Sequence, residues 1–273
     1  MFFVGVAIIT IIIGYFIHKA YQNTKEVVIN TIAISQSDIS LVDDKKLSIL
    51  HLSDLHLENL SISPGELYEM ISAKPIDIVA LTGDYLDRKR SIPKLIPYLE
   101  VLNKLETTYG VFAVFGNHDY FLRKPNFQRL KQTMEEYGCT TLLNEHVSLT
   151  IDDETVNIIG IDDHSSKKSD INKAYEHLPE GYNLILTHDP NIVLDMGGYH
   201  YDYLLSGHFH GGQIHWPKPY HLFKMGRLIR KNIVKGLHYY DGKPFYISEG
   251  LGQTGVNIRV GSRPEITIHD ISL

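Results

Sequence analysis

The stretch Val111-Phe112-Ala113-Val114-Phe115-Gly116-Asn117-His118-Asp119 decides the fold. Its first five residues, apolar and rich in Val and Phe, predict a buried strand. Gly116 permits a sharp turn, so Asn117, His118 and Asp119 are expected just past the strand's C-terminal end. In open α/β sheets that rim is where ligands bind. Four other segments repeat the plan. Leu47–Leu52 feeds Ser53-Asp54-Leu55-His56, and Ile76–Leu81 feeds Thr82-Gly83-Asp84. Tyr182–Leu186 feeds Thr187-His188-Asp189, and Tyr203–Leu205 feeds Ser206-Gly207-His208-Phe209-His210. Each apolar run ends in side chains that ligate metals.

Composition sets the outer bounds. The chain has 273 residues, 43% hydrophobic and 21% charged, which suits one large core or two small ones. A net charge of −6 argues against a general nucleic-acid binder, and none is expected as partner. Cys139 is the single cysteine, so an internal disulfide and a thiolate metal cluster are both excluded. Fifteen histidines fit a metal protein.

Residues Phe2–Ile17 form an almost unbroken apolar run. At helical rise it spans about 24 Å, slightly short of a ~30 Å hydrocarbon core. Its flanks lack the basic n-region and small-residue cleavage site of a signal peptide, so an uncleaved, single-pass membrane anchor is expected over residues 1–20. Lys19 and Lys25 follow the run and nothing basic precedes it, which places the large domain in the cytoplasm by the positive-inside rule.

Residues 21–45 are expected to be linker and edge strand: a polar linker over Tyr21–Lys25, a strand over Val27–Ile34 and a loop over Ser35–Lys46. Residues 46–273 are expected to form one catalytic domain. Helices are predicted over Pro64–Ser72, from a cap at Ser91 through Thr107, over Asn126–Tyr137 closed by Gly138, and over Ile171–Leu178. Val147–Ile151 and Val156–Ile161 read as a hairpin, with further strands at Pro244–Ser248 and Glu265–His269. Strand–helix alternation followed by strands predicts two packed sheets flanked by helices, an α/β fold.

The strand-end residues suit a metal site by type and spacing. In an extended backbone, residues i and i+2 point the same way, so Asp54-x-His56 and His208-x-His210 are each expected to hold an ion from two sides. Asp84 supplies a carboxylate able to bridge two cations, Asn117 a neutral oxygen, and His188 another strand-end nitrogen. Nitrogen and oxygen donors without thiolate suit Mn, Fe or Zn.

Asp54-x-His56, Gly83-Asp84-x-x-Asp87, Gly116-Asn117-His118-Asp119, His188 and Gly207-His208-x-His210 together resemble the calcineurin-like metallophosphoesterase family, in the family's order. The resemblance implies a four-layer α/β/β/α sandwich and two divalent metal ions, Mn first. Asp54, His56, Asp84 and His210 would bind one ion, and Asp84, Asn117, His188 and His208 the other. It implies two-metal hydrolysis, with ions ~3.5–4 Å apart holding a hydroxide and clamping the phosphoryl oxygens. His118 resembles the catalytic histidine that assists the leaving oxygen, and Asp87 would orient it. One departure is Leu57-Glu58-Asn59, where the family often has Gly.

The C-terminal Ser248-Glu249-Gly250-Leu251-Gly252 and Arg259…Arg263 segments resemble a membrane-anchored subgroup that includes UDP-2,3-diacylglucosamine hydrolases. Arg259 and Arg263 are candidate phosphate clamps by this likeness, and Arg88, which follows Asp87 as an arginine does in the phosphatase branch of the family, is a third candidate substrate-binding residue. The remaining histidines match no ligand position, and Asp162-Asp163 is expected to form a turn or reach substrate.

Gly211–Tyr240 carries Lys218, Lys224, Arg227, Arg230, Lys231 and Lys235 without an acidic residue, interleaved with Trp216, Leu222, Phe223 and Met225. Directly after two metal-ligand histidines, it is expected near the site mouth, where it suits an anionic headgroup with an acyl tail, or the membrane surface. The expected activity is hydrolysis of a phosphodiester or pyrophosphate in a lipid- or nucleotide-linked substrate. A phosphomonoesterase or protein phosphatase, and a non-catalytic metal-binding membrane scaffold, are the alternatives.

Overall fold

The computed structural model describes residues 2–34 and 46–273; the loop expected over Ser35–Lys46 falls outside them except for Lys46. The apolar N-terminus forms helix α1, Phe2–Gln22. It is longer than the apolar run alone, and at 1.5 Å per residue it measures about 32 Å. With a mean hydropathy of 2.0 and none of its apolar window buried, it is long and apolar enough to cross a membrane.

Tyr21–Lys25 is not a free linker. The helix runs through Gln22 and a 3₁₀ turn, Asn23–Lys25, follows. Ala20, Asn23 and Thr24 are buried. Ala20 O accepts from Arg259 N at 2.9 Å, and Asn23 Nδ2 donates to Arg259 O at 2.8 Å. The foot of the helix is therefore tied to the chain's far end.

The strands that follow are β1 Val28–Ile34, β2 Lys46–Leu52, β3 Ile78–Thr82, β4 Gly110–Val114, β5 Cys139–Thr141, β6 Glu145–Ile151 and β7 Glu154–Gly160. Beyond them come β8 Tyr182–Leu186, β9 Tyr203–Ser206, β10 Gly236–Tyr240, β11 Lys243–Ile247 and β12 Glu265–Ser272. They form two sheets, of order β1-β12-β2-β3-β4-β5 and β10-β11-β9-β8-β7-β6. Strands β2 to β5 run parallel, as do β7, β8, β9 and β11. Strand β1, at the edge of its sheet, pairs parallel with β12.

Alternation along each strand builds the layers. On β3, Ile78 and Ala80 join a core shared with Leu184 and Leu186 of β8 and Leu205 of β9. Val79 and Leu81 face the other way, onto helices α2 (Pro64–Ile71), α3 (Ile92–Asn103) and α5 (Arg123–Glu136). On the second sheet, Ile185 and Leu204 turn outward to a third core with Ala174, Leu228 and Ile229. The two sheets thus pack face to face with helices outside. Strands covered on both faces have no polar side to show, which is why they read as continuous apolar runs. Each fully buried Leu or Ile contributes roughly 1.5–3 kcal/mol.

The helices depart from expectation where local geometry intervenes. Helix α2 begins as predicted, with Pro64 in its first turn and a reciprocal capping box between Ser63 and Glu66. Helix α3 stops at Asn103 rather than Thr107, because Glu106 takes a left-handed φ of 50° and turns the chain toward β4. The helix expected over Ile171–Leu178 is the single turn α6, Ile171–Ala174; His177 at φ 61° and Pro179 end it early. Strands β5 and β10 were not foreseen. The remaining turns, α4 (Asn117–Tyr120) and α7 (Arg227–Arg230), both lie at the site.

Candidate metal centre

Because β2, β3 and β4 are adjacent and parallel, their C-terminal ends bring residues 53–56, 83–87 and 116–119 to one edge. β8 and β9 deliver His188, His208 and His210 from the other sheet in the same manner. Backbone bonds stitch the edges together: Asp54 N donates to Gly83 O at 2.9 Å, His56 N to Asp84 O at 3.1 Å and Gly207 N to His188 O at 3.0 Å. Across the sheets, His188 Nδ1 donates to Thr82 O at 2.7 Å.

The ligand residues do not converge through strand pleating, as their i, i+2 spacing suggested. They lie beyond the strands, and Asp54, His56, Asp84, His208 and His210 all take left-handed φ values between 37° and 74°. Non-glycine residues pay on the order of 1 kcal/mol each for this. The strain aims each side chain inward. Neighbouring glycines leave the room: a Cβ on Gly207 would stand 1.9 Å from Ser53 Oγ and 2.2 Å from Asp54 Oδ2, and one on Gly116 2.2 Å from Asp84 Oδ1.

Three groups have donor atoms within 4.8 Å of one another: His56–Asp84–His118 and, each sharing one residue with it, Asp54–His56–His210 and Asp84–His188–His208. Asp84 Oδ2 stands between the latter two, 3.5 Å from His56 Nε2 and 3.1 Å from His188 Nε2. His210 Nε2 is 3.3 Å from Asp54 Oδ1. Among the described residues, Asn117 Oδ1, on α4, and His56 Nε2 are buried and make no hydrogen bond. Buried polar atoms left unpaired are costly, and those two, beside carboxylates, fit cation ligands. Burial holds His210 down to about 3 and His208 below its ordinary value, although nearby carboxylates oppose it; both rings stay neutral, with a lone pair to give.

Asp87 does more than orient His118. Its Oδ1 accepts from His118 Nδ1 at 2.8 Å and from His56 Nδ1 at 3.0 Å. That fixes both tautomers, leaving His56 Nε2 for a cation and His118 Nε2 for a substrate. Burial alone would raise the Asp87 carboxyl, but the hydrogen bonds from His118 and His56 hold it well below the usual range. Burial likewise opposes protonation of His118, yet the Asp87 bond and the charges of Asp84 and Asp87 raise it above the ordinary histidine value.

Asp119 closes the Gly116-Asn117-His118-Asp119 motif. It is buried, and its carboxylate accepts from the backbone N–H of Asp84, Tyr85 and Gly116, each at 2.9 Å. It sets the turn that presents Asp84. Glu58, where the family often has Gly, accepts from the N–H of Asp87 at 2.9 Å and of Arg88 at 3.0 Å. Neither residue has a spacing signal of its own.

The candidate substrate arginines separate. Arg88 is exposed at a cavity beside Asp87. Arg259 is not a phosphate clamp: it is fully buried and gives its guanidinium to the carbonyls of His210, Glu249, Gly250, Gly252 and Arg263, at 2.6–3.2 Å. Arg263 Nε pairs with Glu26 Oε2 at 3.0 Å, close to the helix foot. Of the acidic pair, Asp162 accepts from Tyr120 OH at 2.6 Å and Asp163 caps a turn through Ser166 N at 2.7 Å.

Two cavities open from the candidate metal ligands. One of about 390 Å³ is lined by Asp84, Asn117, His118, His208 and His210, and roofed by Ile214, Leu222, Met225 and Val256. A wider cleft of about 800 Å³ runs from Asn117 and His208 past Lys167, Lys224 and Arg227. The basic, apolar Gly211–Tyr240 segment therefore forms walls of both.

This cluster of His and Asp side chains could bind metal ions, and the chain belongs to the calcineurin-like phosphoesterases, whose family model matches residues 47–212. It is a metallophosphoesterase. It is 63% identical over 271 residues to a protein of Bacillus subtilis (strain 168) named uncharacterized metallophosphoesterase YkoQ, spanning 99% of this chain and 100% of that one. Phosphodiesterase YaeI of Escherichia coli (strain K12) is 29% identical, over 82% of this chain and 81% of the relative. UDP-2,3-diacylglucosamine pyrophosphatase LpxG of Chlamydia trachomatis is 28% identical, over 81% and 82%.

Proposed function

We propose that this protein is a membrane-anchored phosphoesterase with two divalent ions, hydrolysing a phosphodiester or pyrophosphate bond in a lipid- or nucleotide-linked substrate. The observation that carries it is the pair of donor groups meeting at Asp84 Oδ2, with His118 beside them and held by Asp87. Asp54, His56, Asp84 and His210 would hold one ion and Asp84, Asn117, His188 and His208 the other, with Mn favoured and Fe or Zn compatible with the donor set. Bound there, the ions supply charge for the phosphoryl oxygens and acidify water. His118 Nε2, its ring fixed through Nδ1, offers a proton to the departing oxygen.

The relatives named for phosphodiesterase and pyrophosphatase activities support a diester or anhydride as the bond cleaved. The length and exposure of α1 support the anchor, and Lys19 in its last turn and Lys25 beyond it favour a cytoplasmic catalytic body by the positive-inside rule. A lipid-linked substrate fits the apolar roof of the reaction cavity.

The test uses the full chain in detergent with Mn²⁺, assayed on bis(p-nitrophenyl) phosphate and p-nitrophenyl phosphate. Diester turnover that falls by at least about 10²–10³-fold in Asp84→Asn supports the reading. A preference for the monoester makes it a phosphomonoesterase. No turnover of either, with two ions bound per chain, leaves the scaffold.

A further inference from the structure

A third cavity, of about 260 Å³, lies on the far side of Asp87 from the reaction centre. Glu58, Asp87, Arg88, Arg90, Ser91 and Lys94 line it. Both carboxylates are committed: Glu58 to the N–H groups of Asp87 and Arg88, Asp87 to His56 and His118. The three cations are exposed, and among the described residues none is in an ion pair. The cavity lies beside the start of α3, where the N–H groups of Ser91 and Ile92 already donate to Arg88 O and Lys89 O and Pro93 has none, so the side chains are what remains to hold an anion.

A second, independent observation points to a ligand. Ser91 is fully buried and its Oγ has no hydrogen-bond partner. It does not cap the helix it precedes, although serine commonly does so. The cavity is also continuous with the chemistry. Gly255 lines both it and the reaction cavity, and Asp87 on its wall accepts from His118 on the other side.

We propose that this cavity is an anion subsite, binding a carboxylate or phosphate group carried by the substrate arm that passes His118. The inference rests on the phosphoesterase reading and extends it: the substrate carries a second negative charge beyond the reacting phosphorus. Arg88 and Arg90 supply planar donors that match either anion, and Lys94 a point charge. Ser91 Oγ supplies a neutral donor.

Two arms on the full chain test this, with Arg90→Ala/Lys94→Ala as the main variant and Ser91→Ala as the second. In the first, the metal-free chain is melted with sodium sulfate against sodium chloride at equal ionic strength. Sulfate is expected to raise the wild-type midpoint, and the rise to shrink in the double variant to the part that any folded chain gains from sulfate exclusion. In the second, the Mn-loaded chain hydrolyses bis(4-carboxyphenyl) phosphate and bis(4-nitrophenyl) phosphate, the former carrying the distal charge. The ratio of their kcat/KM values is expected to fall about tenfold or more in the double variant and less in Ser91→Ala. A sulfate response reduced in this way with an unchanged ratio identifies a site for free anions and overturns the substrate assignment. An unchanged ratio with sulfate response intact overturns the subsite altogether. If wild type turns over neither ester, the phosphoesterase reading fails instead, and the sulfate arm alone decides whether an anion binds here.

Discussion

At the floor of the site, Asp54, His56, Asp84 and His188 are at most 1% exposed, and their backbones are locked by hydrogen bonds between strand ends. At the rim, Trp216 is 79% exposed, Tyr220 57% and Val256 56%, on short 3₁₀ turns and loops. The floor draws on both sheets, with its candidate ligands set at the ends of five strands. The rim draws on one stretch of chain, Gly211–Tyr240, with the Thr254–Val256 loop hung from Gln213 through bonds of 2.9–3.1 Å. The contrast separates two jobs. Holding cations requires preorganisation and accepts backbone strain to obtain it. Admitting a substrate requires surface that is free to be covered.

The largest effect tests whether His118 belongs with the floor's ligands or with the chemistry above them. Its ring falls within one donor group with His56 and Asp84, yet its Nδ1 is already committed to Asp87. His118→Ala is expected to lower kcat by about 10²–10⁴-fold while leaving the bound-metal content at the wild-type value by elemental analysis. Loss of an ion in that variant would move His118 into the ligand set.

Asp119 tests whether floor geometry depends on residues that touch no cation. In Asp119→Asn, one carboxylate oxygen becomes an amide NH₂ that faces an N–H of Asp84, Tyr85 or Gly116, so at least one donor loses its acceptor. The expected cost is about 1–3 kcal/mol in urea unfolding, with Mn affinity falling roughly 10–100-fold because Asp84 is no longer fixed. A variant that loses stability but keeps its Mn affinity would show the turn to be a general fold element, not a support for the metals.

The floor was legible in the sequence because it is built from residue types that few other roles require, in blocks following apolar runs. The five strands announced themselves by continuous Val, Ile, Leu and Phe, a consequence of both sheet faces being covered. What the sequence misstated was cause. Asp54-x-His56 converges through two left-handed residues, a conformation that no side-chain pattern reveals outside glycine. Arg259 misled for a related reason. A guanidinium bonded to carbonyls from three stretches of chain looks, in sequence, the same as one waiting for a phosphate. Asp119 and Glu58 act on backbone N–H groups, which are present at every position and so leave no spacing to read. Strand β10 lay within a stretch whose charge was more conspicuous than its alternation.

The rim gives the smallest effect on stability and the sharpest test of position. Trp216 is the only tryptophan in the chain, so intrinsic fluorescence reports this one site. Because the side chain is 79% exposed, Trp216→Ala is expected to change unfolding free energy by no more than ~0.5 kcal/mol, and native emission of the full chain in detergent should lie close to that of the unfolded chain. The residue follows His215, whose N–H donates to Val260 O at 2.7 Å, and Val260 is next to Arg259, which holds Ala20 at the foot of α1. That chain of contacts keeps the rim within about 18 Å of the helix foot by backbone dimensions. If the anchored reading holds, reconstitution of the full chain into anionic vesicles is expected to blue-shift the emission and make it quenchable by headgroup-level spin-labelled lipid, since tryptophan favours that depth. Emission that stays solvent-like, while the chain floats with the vesicles, would place the rim away from the bilayer and leave α1 as the sole membrane contact.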